Sequence, residues 1–89
     1  MNLEISKAFV KDVEILPGQT KRMILSVIEE IQAARTLYDL TDCKKLQGVE
    51  DLYRIRMGNY RITFEYLASS VILKRVLPRG KIYKKHNLK

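Results

Sequence analysis

The chain has one cysteine, Cys43, and one histidine, His86, in 89 residues, and no tryptophan. A lone cysteine excludes an internal disulfide. Structural zinc takes about four Cys, His or carboxylate ligands in clustered spacing, and no such cluster exists here, so no metal site is expected. Long apolar stretches are also missing. No run exceeds a few residues, against the roughly 20 that a membrane helix needs. The first residues, Met-Asn-Leu-Glu-Ile-Ser-Lys, do not pair a basic segment with an apolar one, as a secretory signal would. The expectation is a cytoplasmic protein with no membrane partner and no cofactor.

What is abundant is positive charge, with 17 Lys and Arg against 10 Asp and Glu, a formal net of +7. The distribution is uneven. Residues 1–43 hold five basic and seven acidic side chains, whereas residues 44–89 hold twelve basic and three acidic. A half-domain of one sign points to a polyanionic partner: RNA, DNA, the ribosome or an acidic protein. Solubility alone does not require it. Hydrophobic residues at 46% fit an ordinary folded chain, and the length fits a single domain over 1–89.

The hydrophobic pattern assigns elements. Residues 2–5 suit a short strand. Ser6 is a good helix N-cap for residues 7–16, where Phe9, Val13 and Leu16 form one stripe. Pro17-Gly18 breaks that helix. Residues 19–34 read as a second, with Ile24, Val27, Ile28, Ile31 and Ala34 on one side. Residues 36–47 lack a period and read as a loop with room for one helical turn, ending at Gly48, with Cys43 an inert residue within it.

From Leu52 the period changes to two. Residues 52–57 and 60–66 alternate around Gly58-Asn59, and glycine leading a two-residue loop suits a type II′ hairpin. A further strand is expected over 71–77, ended by Pro78, followed by a short basic tail over 78–89. The order β-α-α-β-β-β gives an α+β domain, an antiparallel sheet with a helical hairpin packed on one face.

If Gly58-Asn59 is the loop, Tyr53, Ile55, Met57, Tyr60, Ile62 and Phe64 share the face toward the helices. Arg54, Arg56 and Arg61 share the other, with Arg56 directly across from Arg61. Opposed like charges on a sheet cost up to about 1 kcal/mol. Two accounts of the pair stand side by side: the guanidiniums splay into water or pair with acids such as Glu65, or an anion sits between them. The planar guanidinium fork matches phosphate oxygens. The tail interleaves Arg79, Lys81, Lys84 and Lys85 with Tyr83 and His86, which suits single-stranded RNA contacts.

The segments Lys45-Leu46-Gln47-Gly48, Tyr53-Arg54-Ile55-Arg56-Met57-Gly58-Asn59-Tyr60-Arg61-Ile62 and Arg79-Gly80-Lys81-Ile82-Tyr83 carry a pattern K-L-x-G … Y-R-I-R-x-G-x-Y-R-I … R-x-x-x-Y. In this the chain resembles the RelE-like branch of the RelE/ParE superfamily of toxins from type II toxin–antitoxin systems. The match covers residues 45–83, and the first half agrees in element order and length only.

The resemblance implies a ribosome-dependent mRNA endonuclease held inactive by a cognate antitoxin. It implies metal-independent attack of the ribose 2′-OH on the adjacent phosphate, leaving a 2′,3′-cyclic phosphate. By that resemblance Arg61 is the central catalytic arginine, with Arg56, Arg79 and Tyr83 beside it and Tyr83 as general base. Arg54, Lys45, Lys81, Lys84 and Lys85 would bind the RNA, and Glu65 or His86 could serve as acid or base. Where many relatives carry a histidine ahead of the tail, this chain has Pro78. The same superfamily holds ParE-like inhibitors of DNA gyrase, and a non-catalytic RNA- or ribosome-binding module is the third reading.

Overall fold

The computed structural model describes residues 1–48 and 50–81. The chain folds as β1 (Asn2–Ile5), α1 (Lys7–Glu14), α2 (Gly18–Ala33), β2 (Cys43–Lys45), β3 (Leu52–Met57), β4 (Tyr60–Leu67) and β5 (Ser70–Pro78). Short 3₁₀ turns lie at Leu37–Asp39 and Arg79–Lys81. Among the described residues no helix is long and apolar enough to cross a membrane.

Ser6 caps α1 as its residue type predicts, accepting the Phe9 N–H on its hydroxyl at 3.1 Å. The helix ends two residues short of the expected Leu16. Pro17 disfavours helical backbone in the residue before it, and Ile15 already has cap geometry. α2 contributes Ile24 and Ile31 to the core, with Val27 and Ile28 packed against it. It has no basic residue in its last turn. The Met1 ammonium takes that place, donating to the carbonyls of Ile31, Gln32 and Ala34 at 3.2, 3.2 and 2.7 Å. A cation at a helix C-terminus meets the negative end of the macrodipole.

The α+β class holds, with two differences from the expected sheet. Five strands form it in the order β1-β5-β4-β3-β2, and it is mixed rather than wholly antiparallel, since β1 pairs parallel to β5. The fifth strand, β2, lies in the stretch read as a loop. Three residues with two adjacent lysines show no period, so only pairing with β3 reveals it.

The β3–β4 hairpin has the predicted register: Met57↔Tyr60, Arg56↔Arg61, Ile55↔Ile62 and Arg54↔Thr63. Gly58 takes φ of +59°, the value the first position of a II′ turn needs. Ile55, Met57, Ile62 and Phe64 are in the core, with Tyr53 and Tyr60 packed against it. On that face Tyr53 stacks on Phe64, centroids 5.5 Å apart, and meets Tyr66 edge-on at 6.2 Å.

β5 carries a bulge. Thr63 pairs with Arg75 but Phe64 with Leu73, leaving Lys74 as the extra residue. β1 covers β5 only as far as Leu73. Beyond that point two side chains occupy the open edge: the Ser6 hydroxyl donates to the Lys74 carbonyl at 3.0 Å, and Asp12 accepts the Val76 N–H at 2.9 Å. Such cover removes a template for unwanted strand pairing.

Candidate nucleic-acid interface

Side chains directly opposed on antiparallel strands share a face. The face away from the helices therefore carries Arg54, Arg56, Arg61, Thr63 and Glu65, as the alternation requires. Arg56 and Arg61 are cross-strand neighbours, with Cα atoms about 5 Å apart in such a pair.

The three arginines differ in environment. Arg56 is exposed. Arg54 and Arg61 are only 8% and 6% exposed. Arg54 donates from Nη1 to the Asp42 carbonyl at 2.8 Å, and Arg61 from Nη1 to the carbonyls of Gly58 and Tyr60, each at 2.9 Å. Asp42 holds a left-handed φ of 55°, and the reversal at Gly58 supplies the other acceptors. These bonds are to neutral backbone oxygens. Backbone carbonyls thus hold the guanidiniums in place.

The remaining predicted residues divide. Arg79 is exposed, and its backbone N–H donates to the Asn59 carbonyl at the hairpin tip at 3.0 Å. Glu65 is half-buried on the arginine face, across from Leu52 and Ile72. It is four residues from Arg61, about 13 Å along a strand. Lys45 is exposed but pairs with Tyr53, which sets it on the helix side of the sheet. Its neighbour Lys44 pairs with Arg54 and joins the arginine face, a position that sequence reading passed over because β2 itself was not visible. Tyr83, Lys84, Lys85 and His86 lie outside the described residues, as does the side chain of Lys81.

Two basic or nucleophilic candidates are committed elsewhere. Arg75 faces Asp12 in a bidentate pair, Nε to Oδ2 at 2.8 Å and Nη2 to Oδ1 at 3.1 Å. Donating to the Asp12 carboxylate raises the Arg75 pKa further. Burial pushes the Cys43 thiol up to about 11, against the opposing pull of the Arg54 charge. A thiol held protonated is a poor nucleophile. Among the described residues no group of three His, Cys, Asp or Glu side chains could hold a metal ion.

A scan against protein-family models returns no match. Toxin RelE3 of Methanocaldococcus jannaschii is 44% identical over 84 residues, covering 93% of this chain and 96% of that protein. The chain belongs to the RelE family of toxins. A RelE solved in a RelB-RelE antitoxin–toxin complex from Methanococcus jannaschii superposes with a TM-score of 0.79 at 41% identity, covering 90% of this chain and 94% of that one. The RelE of a RelE-RelB complex from Pyrococcus horikoshii gives 0.73 at 27%, covering 90% and 96%. The isolated Escherichia coli RelE toxin shares the fold, with a TM-score of 0.65 at 18% identity over 96% of this chain and 93% of that one. The RelE resemblance read from residues 45–83 therefore extends over the N-terminal half, where no local motif carried it.

Proposed function

We propose that this RelE toxin is an endoribonuclease that cuts mRNA on the ribosome and that a RelB-type antitoxin holds it inactive. The observation that carries the reading is the Arg56–Arg61 opposition on the face away from the helices. A sheet with only structural duties gains nothing from two cations set across from one another. A phosphodiester between them turns repulsion into two charge-assisted contacts.

The chemistry follows from that placement. The 2′-oxygen attacks phosphorus, the P–O5′ bond breaks, and a 2′,3′-cyclic phosphate remains. The 2′-OH proton passes to a base, and the departing 5′-oxygen takes a proton. Negative charge grows on the non-bridging oxygens, where Arg61 and Arg56 stabilise it, and loss of one such donor costs about 10²–10³ in rate. Arg54 and Lys44 hold the flanking phosphates, and Arg79 reaches the same end of the hairpin. The base falls to Tyr83 by family resemblance. Glu65, about 13 Å from Arg61 along β4, is too far along the strand to act on a phosphate that Arg61 grips. Ribosome dependence has its counterpart in charge: a net of +7 draws the protein to a polyanionic assembly.

The test is cleavage of mRNA on purified ribosomes programmed with a defined message, with the 5′ ends mapped. Codon-positioned cuts that disappear in Arg61→Ala support the reading. Intact message, with inhibition of DNA gyrase instead, overturns it.

A further inference from the structure

Thr63 occupies the middle of β4 on the arginine face. Its relative exposure is 0%, and its Oγ1 has no hydrogen-bond partner among the described residues. Register sets its neighbours: Arg54 directly across on β3, Arg75 across on β5, and Arg61 and Glu65 two residues away along its own strand. The arginines around it are provided for, Arg54 by the Asp42 carbonyl, Arg61 by those of Gly58 and Tyr60, and Arg75 by Asp12. The hydroxyl alone is left over. A buried polar group without a partner costs about 1–3 kcal/mol. Valine has nearly the same shape, equal liking for a strand and no such penalty. Packing therefore does not explain a threonine here.

This inference rests on the reading of the arginine face as an RNA phosphate site. We propose that Thr63 is a further phosphate-binding residue, its Oγ–H donating to a non-bridging oxygen of the phosphodiester held by Arg54 and Arg61. The side chains around the hydroxyl on its face include those two long, flexible arginines. Arg54 now donates to a neutral carbonyl, and an anionic oxygen is the stronger acceptor. As the Arg54 guanidinium turns from the Asp42 carbonyl to the phosphate, the space over Thr63 opens and one oxygen comes down onto its hydroxyl. The cost of the unpartnered group is then relieved only in the bound state, so that relief adds to affinity. A hydroxyl also suits the position because it adds a donor without adding another positive charge.

Inorganic phosphate is the probe, and the full-length protein the sample. Thermal midpoints are compared in phosphate and in chloride at matched ionic strength for wild type, Thr63→Val and Thr63→Ser. Binding to the folded state raises the midpoint with ligand concentration, so wild type should gain several degrees at saturating phosphate. Thr63→Ser should keep most of that gain. Thr63→Val should lose most of it while melting in chloride no lower than wild type, because the orphaned hydroxyl is gone. On programmed ribosomes Thr63→Val should cut mRNA at least tenfold more slowly than wild type. A Thr63→Val protein that responds to phosphate as wild type does overturns the inference, as does a wild type with no response. A phosphate response that depends on Thr63 in a protein that leaves mRNA intact would keep this site and remove the nuclease reading. Cleavage unaffected by Thr63→Val would do the reverse.

Discussion

Asp12 on α1 and Arg75 on β5, 63 residues apart in the chain, meet in a two-bonded fork that also takes in the Val76 N–H. One carboxylate thus joins a helix to the half of β5 that β1 leaves uncovered. Asp12→Ala removes three hydrogen bonds and leaves the Val76 N–H and the partly buried guanidinium without their acceptor. Charged hydrogen bonds of this kind contribute about 1.5–3 kcal/mol. The expected loss is about 2 kcal/mol, or roughly 10 °C in the midpoint of a domain this size, read by thermal unfolding. Arg75→Lys keeps charge but not the fork and should cost less. Because the Arg75 guanidinium is committed to Asp12, mRNA cleavage by Arg75→Lys at a permissive temperature should match wild type.

The Arg56–Arg61 pair predicts opposite movements of stability and activity. Arg56 is exposed, so its replacement disturbs no buried contact. Arg56→Thr removes a like-charge opposition and should raise stability by about 0.2–1 kcal/mol, visible as a higher urea midpoint. The same change removes a donor to the developing phosphate charge and should lower the cleavage rate about 10²-fold. A variant that is both less stable and equally active would contradict the role given to the pair.

The β3–β4 hairpin is legible in the sequence because two signals agree there: alternation on both sides of Gly58-Asn59, and a glycine where the turn needs positive φ. Those signals also assign the arginines to one face. They say nothing about what the arginines meet, since the acceptors are carbonyls of Asp42, Gly58 and Tyr60, and every residue type offers a carbonyl. β2 escapes notice because Cys43-Lys44-Lys45 is too short to show a period. Without it Lys44 and Lys45 cannot be told apart, yet one residue of register sends them to opposite faces. The parallel pairing of β1 with β5 joins residues 2–5 to 70–73, a separation that no local pattern spans.

The β4–β5 turn offers a stability gain. Ala68 and Ser69 both sit in the left-handed region, with φ of 52° and 64°, between paired Leu67 and Ser70. Two successive positive values are the signature of a type I′ turn, which favours Asn-Gly. Left-handed backbone costs a non-glycine L-residue about 1–2 kcal/mol, with asparagine the better tolerated. Ala68→Asn with Ser69→Gly should therefore stabilise the protein by about 1–2 kcal/mol, raising the urea midpoint without changing its slope. The loop is at the far end of β4 from the Gly58 reversal, so cleavage should be unaffected.

Cys43 gives a dependence on alkaline pH whose sign can be worked out. Its thiol titrates at about 11 in the folded chain against an ordinary value of 9.0, and burial on the helix side of the sheet, facing Ile55 across β3, is the main cause. Below pH 9 both folded and unfolded chains hold the proton, and the group contributes no slope. Between pH 9 and 11 the unfolded chain releases a proton that the folded chain keeps, so unfolding gains and stability falls as pH rises. The informative quantity is a difference between two proteins that share every other ionisable group. Urea midpoints of wild type and Cys43→Val, taken from pH 8 to pH 11, should run parallel up to pH 9 and then diverge, with the wild type declining more steeply. In the folded protein at pH 8 the thiol should also react with disulfide reagents far more slowly than a free cysteine, and reach the free rate once urea unfolds the chain. Parallel midpoint curves across the whole range would mean that Cys43 ionises as readily folded as unfolded.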